Sequence, residues 1–169
     1  LAGNISGDGS MRVIGDGTVT LSPVSANTFL GGLFVENGMV AAASETALGF
    51  GALQLDHNGG LQLLGNIARD VDIGANGGRL MVGGGNTFTL DGDVSGTGSV
   101  TKTGSGTLIA TGVLDQDGFT TVAEGTLQIG SGLKGTLATD VDVSAGATLI
   151  FGRDDLTLYS GVIDGDGTV

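Results

Sequence analysis

One eleven-residue phrase occurs three times in this chain: LAGNISGDGSM at 1–11, LDGDVSGTGSV at 90–100 and YSGVIDGDGTV at 159–169. Three copies of such a phrase, starting at Leu1, Leu90 and Tyr159, are far beyond chance in a chain of 169 residues. Self-similarity of this kind marks repeat architectures, in which one supersecondary unit cannot bury its apolar face alone and stacks on its neighbours instead.

The segments around the phrase repeat as well. Gly15-Asp16-Gly17-Thr18-Val19 parallels Gly104-Ser105-Gly106-Thr107-Leu108, and Val35-Glu36-Asn37-Gly38 parallels Val122-Ala123-Glu124-Gly125. Asp70-Val71-Asp72-Ile73 matches Asp140-Val141-Asp142-Val143, and Leu80-Met81-Val82-Gly83 matches Leu149-Ile150-Phe151-Gly152. The chain therefore reads as a unit at about 1–89, a second at 90–158 and the start of a third at 159–169. It opens Leu1-Ala2-Gly3-Asn4, with neither a Met nor a basic segment leading into an apolar one, so no signal peptide is expected. An excised piece is expected, with the natural protein continuing past Val169.

Within a unit the apolar residues alternate, as in Met11/Val13, Leu33/Val35, Leu53/Leu55, Leu61/Leu63, Val71/Ile73, Leu127/Ile129, Val141/Val143 and Leu156/Leu158. A period of two means short strands with one buried face. Turn clusters separate them, such as Asp56-His57-Asn58-Gly59-Gly60 and Gly83-Gly84-Gly85-Asn86. Helix signals are weak: the best stretch, Val40 to Leu48, is cut short by Gly49 and Gly51. Glycine supplies 35 residues and proline 1, without the every-third-residue period of collagen. Hydrophobic residues make up 40% and charged ones 14%, which removes disorder from consideration. The absence of Cys removes a cystine-stapled small domain. Recurrence favours an all-β solenoid over a sandwich, because a parallel β-helix presents the same cross-section to each successive coil. At ~20 to 25 residues per coil the chain predicts roughly seven or eight coils, a rod about 35 to 40 Å long at ~4.8 Å per coil.

Thr101-Lys102-Thr103-Gly104-Ser105-Gly106-Thr107-Leu108, followed by Thr120-Thr121-Val122-Ala123-Glu124-Gly125-Thr126-Leu127-Gln128-Ile129-Gly130, resembles the passenger-associated transport repeat of bacterial autotransporter proteins. The stretch from Thr46 to Leu55, with Gly60 to Leu63, is similar to segments common between such repeats. Two departures stand out: 112–119 replaces the usual turn, and the first copy, from Met11 to Gly17, lacks the Lys-Thr-Gly. The resemblance implies a right-handed parallel β-helix in the secreted passenger of a Gram-negative outer-membrane protein. It also implies export to the cell surface through a C-terminal outer-membrane β-barrel, a partner that is not in this sequence.

The charge of −12 argues against nucleic acid and anionic membrane surfaces, and no apolar run is long enough for direct membrane insertion. Parallel β-helices also include enzymes with clustered carboxylates, so the pairs Asp70/Asp72, Asp91/Asp93, Asp140/Asp142 and Asp164/Asp166 are candidates. Their recurrence with the repeat makes outward or turn-forming positions the better explanation. Gly7-Asp8-Gly9 and Gly165-Asp166-Gly167 lack the nonapeptide period of calcium-binding β-rolls. His57 has no second His or nucleophile motif beside it, and Lys102 and Lys134 read as isolated cations on an acidic rod. No catalytic residue, cofactor or metal site is expected. The leading reading is a non-enzymatic stalk that supports export and display, and the alternative is an adhesin module that contacts a host-cell or matrix ligand. The longest departure from the repeat, 22–32, contains Phe29, which is either core or contact.

Overall fold

The structure is a computed structural model and describes residues 1–156 and 158–169. Short strands, each followed by a tight corner, wind into a parallel β-solenoid of about eight turns. Each full coil visits three faces in the same order. The first face is a seven-stranded sheet built from Met11–Ile14, Leu33–Glu36, Leu53–Asp56, Val71–Ile73, Val94–Gly96, Val113–Leu114 and Thr136–Leu137. The second is eight-stranded, from Thr18–Leu21 through Met39–Ala42, Gly59–Leu63, Gly78–Val82, Val100–Thr103, Thr120–Val122 and Val141–Val143 to Ile163–Asp164. The third holds the pair Ser6–Gly7 and Thr28–Phe29, then four strands: Thr87–Leu90, Thr107–Ala110, Thr126–Gly132 and Thr148–Arg153.

Every named strand pair is parallel, and partners on the second face stand one coil apart in the chain, as Gly59 does from Gly78 and Val100 from Thr120. Eight strands make seven steps, about 34 Å along the axis at ~4.8 Å each. The inward positions form columns in register. One column on the first face runs Met11, Leu33, Leu53, Val71, Val94, Leu114, Leu137. On the second face one runs Val19, Val40, Leu61, Leu80, Lys102, Val122, Val143. These columns merge into one continuous apolar core. Each fully buried Leu or Val contributes about 1.5 to 3 kcal/mol.

The phrase that repeats is shorter than a coil, and its copies fall on different faces. Ile5, Val94 and Ile163 occupy the same place in the three copies. Ile5 precedes Ser6–Gly7 on the third face, Val94 pairs with Val71 on the first, and Ile163 pairs with Val141 on the second. From Leu1 to Leu90 the chain therefore makes four coils plus about one face, and from Leu90 to Tyr159 three coils plus about one face. A three-faced coil with a strand and a corner per face accepts the same phrase at any face, since each needs the same alternation and the same glycine corner.

Two open readings resolve and one expectation changes. The stretch from Val40 to Leu48, whose helix signal was weak, carries the end of Met39–Ala42, with Val40, Ala41 and Ala42 all buried, and one 3-10 turn, Glu45–Ala47. Phe29 is core, 2% exposed, with its ring under Gly49, where an added Cβ would come within 2.6 Å of it. Leu156 and Leu158 lie in no strand and are exposed, with Asp154 and Asp155 turning the chain just before them; Thr157 lies outside the described residues.

Candidate functional site

Glycine corners join the faces, and two of them coincide with the two copies of the longer motif. In the first copy, Gly15 to Gly17 turns from the first face to the second, and Gly38 stacks above it. A Cβ on Gly38 would collide with the Gly15 carbonyl oxygen and lie 2.9 Å from that of Gly17. In the second copy, Gly104 to Gly106 turns from the second face to the third, with Gly125 above. A Cβ there would lie 2.5 Å from the Gly106 oxygen and 2.6 Å from that of Gly104, and Gly125 itself has φ +65°. Only glycine serves where backbones approach so closely and φ is positive.

Lys102 gives the second copy a feature the first lacks. It is 2% exposed and points into the core, contrary to its reading as an isolated surface cation. Strand alternation forces this: Val100 and Lys102 share one side of Val100–Thr103, and Val100 is buried. Its Nζ donates to the Gly104 carbonyl oxygen at 2.5 Å and to the Glu124 carbonyl oxygen at 2.8 Å. Glu124 closes the arrangement, as its Oε2 accepts from the Gly104 N–H at 2.9 Å. Around Lys102 stand Leu80, Leu90, Leu108, Leu127 and Thr120, lining a cavity of about 10 Å³, which barely admits one water. Desolvation lowers the lysine pKa from 10.5 to about 8, partly offset by the nearby Glu124 carboxylate. In the first copy Val13 stands at the equivalent place and no such bond is needed.

The aspartates fulfil a second structural need. At corners entering a strand, a side-chain oxygen substitutes for the missing ladder acceptor of the adjacent coil. Asp70 Oδ1 accepts from the Asp93 N–H at 2.9 Å, and Asp93 Oδ1 accepts from the Val113 N–H at 2.8 Å. Asp140 Oδ1 accepts from the Val162 N–H at 2.8 Å. Asn66 and Asn27 do the same for Thr89 and Ile5. Asn27 is buried and also donates to the Ala47 oxygen at 2.7 Å, which links three coils. A backbone N–H that meets no ladder carbonyl finds its partner in this row of Asp and Asn instead.

The remaining candidates are scattered. Asp91 accepts from the Thr111 hydroxyl, Asp72 accepts from the Gln54 amide, and Asp142 and Asp164 face outward on the second face. His57, with φ +49°, sits in the corner after Leu53–Asp56, its Nδ1 3.3 Å from Asp56. Burial would push the Asp56 carboxyl up, but the Asn76 and His57 N–H groups outweigh it and hold the pKa below its ordinary value. Asp8 and Asp166 are exposed turn residues, and Lys134 is exposed. Among the described residues no three His, Cys, Asp or Glu side chains are grouped to hold a metal ion.

One open cleft lies at the departure from the motif. Its volume is about 390 Å³, and Asp115, Gln116, Asp117, Gly118, Phe119, Ala138, Thr139 and Asp140 line it. Under its floor Gln116 Nε2 donates to Thr120 Oγ1 at 2.8 Å, and the Thr120 and Thr139 hydroxyls are 2.7 Å apart. Phe119 stands beside it, 61% exposed. The sequence had singled out 112–119 only as a variant turn.

Residues 12–42 and 100–129 each match the passenger-associated-transport-repeat family. The two matches are the two glycine corners with their stacked neighbours. The chain is also 35% identical over 168 residues, 98% of its length, to the adhesin BmaC autotransporter of Brucella suis biovar 1 (strain 1330). The chain is an autotransporter passenger segment with passenger-associated-transport repeats. It spans 5% of that relative's length. No solved structure matches the chain significantly. In structural terms each repeat is a two-coil corner clasp, placed on the edge between the first and second faces in one copy and between the second and third in the other.

Proposed function

We propose that this segment is a non-enzymatic stalk in an exported passenger, which helps the chain fold outside the cell and holds other parts of the protein away from the surface. The protein to which it belongs is displayed on a Gram-negative cell and has its own outer-membrane β-barrel as partner. The observation that carries this reading is the register: each named strand pair joins segments about one coil apart, so each coil needs only its predecessor as a template. A chain emerging from an export pore can add coils one at a time, and each added coil opposes back-sliding. The test is Val122→Asp or Leu127→Asp in the full-length protein, read as surface display at equal expression. Sharply reduced display supports the stalk and export role, and unchanged display overturns it.

The alternative, an adhesin module for a host-cell or matrix ligand, is favoured by one feature. Phe50 and Phe119, 63% and 61% exposed, project at separate corners, and Phe119 flanks the 390 Å³ cleft. Exposed aromatic rings beside a polar recess are typical contact residues. Normal display with lost adhesion in Phe119→Ala would favour this reading over the stalk.

A further inference from the structure

We propose that Lys102 sets the strand register between its own coil and the next, acting as the positioning residue of the repeat. The problem it solves is built into the solenoid. A one-residue slip of a strand turns its apolar side chains outward and is excluded by the alternation itself. A two-residue slip keeps every apolar side chain inward, and the columns here are mostly interchangeable Val and Leu. The side chains of Val40, Leu61, Leu80, Val122 and Val143 do not distinguish the correct neighbour from one displaced by two, so register is decided at the corners, where Gly125 opposes a slip sterically and Lys102 opposes it through its hydrogen bonds.

Lys102 does distinguish them. In the observed register it lies between Leu80 and Val122, and its ammonium finds one carbonyl in its own corner and one in the next coil, that of Glu124. A slip of two residues moves the Glu124 carbonyl by about 7 Å along the strand, beyond hydrogen-bond reach. The cavity around the lysine is too small to supply several waters in its place. The same slip separates Glu124 Oε2 from the Gly104 N–H, whose bond depends on the same turn. A slip would bring another main-chain carbonyl toward that place, but that of Val122 already accepts from the Ser144 N–H, so the correct stack serves the buried ammonium best, as a single buried polar residue fixes register in a coiled coil. The clasp also ties the two stretches of the repeat together, because lysine and glutamate come from successive coils.

The chain contains no Cys, so register can be read by cysteine trapping in the 169-residue protein. Thr101 and Thr121 are direct partners on the outer side of the second face, and Thr103 faces Thr121 only after a two-residue slip. The pairs Thr101→Cys/Thr121→Cys and Thr103→Cys/Thr121→Cys are refolded under mild oxidation, each with Lys102 and with Lys102→Met. With Lys102 the first pair closes and the second stays reduced. With Lys102→Met the slipped bridge should form about tenfold more often. Cooperative unfolding of Lys102→Met shows that the variant folds. If the two backgrounds give the same ratio of bridges, the proposal fails. Glu124→Gln retains both carbonyl acceptors and should retain the register; slippage in it, with none in Lys102→Met, would transfer the role to the carboxylate and also overturn the proposal.

Discussion

Replacing Lys102 by Met should stabilise the solenoid, and the gain should shrink as pH rises. Burial lowers the lysine pKa from its ordinary 10.5 to about 8 in the folded chain. At pH values below 8 both folded and unfolded chains carry the proton, and the folded state bears the full difference, about 3 kcal/mol. Between pH 8 and 10.5 the unfolded chain still binds a proton that the folded chain has released, so stability rises with pH. Over pH 7.5 to 9.5 the wild-type chain should gain about 2 kcal/mol on the Lys102→Met variant. The loss of the two hydrogen bonds to the Gly104 and Glu124 carbonyls offsets part of the variant's gain, so the pH dependence of the difference is the quantity to read. Tyr159 stays clear of this window: desolvation, aided by Asp140, raises its pKa above the usual 10, so its contribution falls only at higher pH. The assay is urea unfolding of both proteins at four pH values, monitored by circular dichroism. A constant stability difference across the range would refute the assignment of Lys102 to the dry interior.

Other substitutions test separate parts of the account. Gly125→Ala forces a Cβ to 2.5 Å from the Gly106 oxygen at φ +65°, and should cost more than about 2 kcal/mol in a thermal melt. Gly146→Ala has a similar φ of +82° but open space around it, so only the backbone strain of about 1 kcal/mol remains. Asp93→Ala removes the acceptor for the Val113 N–H and should lower stability by about 1 to 2 kcal/mol, with faster hydrogen exchange at Val113. Phe119→Ala should change stability by no more than about 0.5 kcal/mol in the same melt, because the ring is largely in water.

The solenoid was legible because its causes are local: period-two apolar residues, glycine corners and a phrase that recurs. The rotation of that phrase around the rod was not. At ~20 to 25 residues per coil, starts at Leu1, Leu90 and Tyr159 fit whole numbers of coils. Only the tighter coil seen between Gly59 and Gly78, or between Val100 and Thr120, leaves a remainder of about one face. Lys102 was misread because charge was weighed above parity. Its two-residue spacing from Val100 already placed it inward. The aspartates read as outward or turn-forming, yet the partners of Asp70 and Asp93 lie a whole coil further along the chain, a distance at which spacing alone identifies nothing. Leu156 and Leu158 show the reverse error. Alternation describes a strand only where a neighbouring coil offers a ladder.

Spin-label distances along one column test the central claim most directly. Thr18, Thr101, Thr121 and Asp142 occupy a single outward column on the second face, with Thr18 four, five and six coils from the others. A parallel solenoid requires separations of about 19, 24 and 29 Å, rising by ~4.8 Å per coil. Distances that fail to increase in that order, or that cluster at one value, would contradict the stacked-coil account.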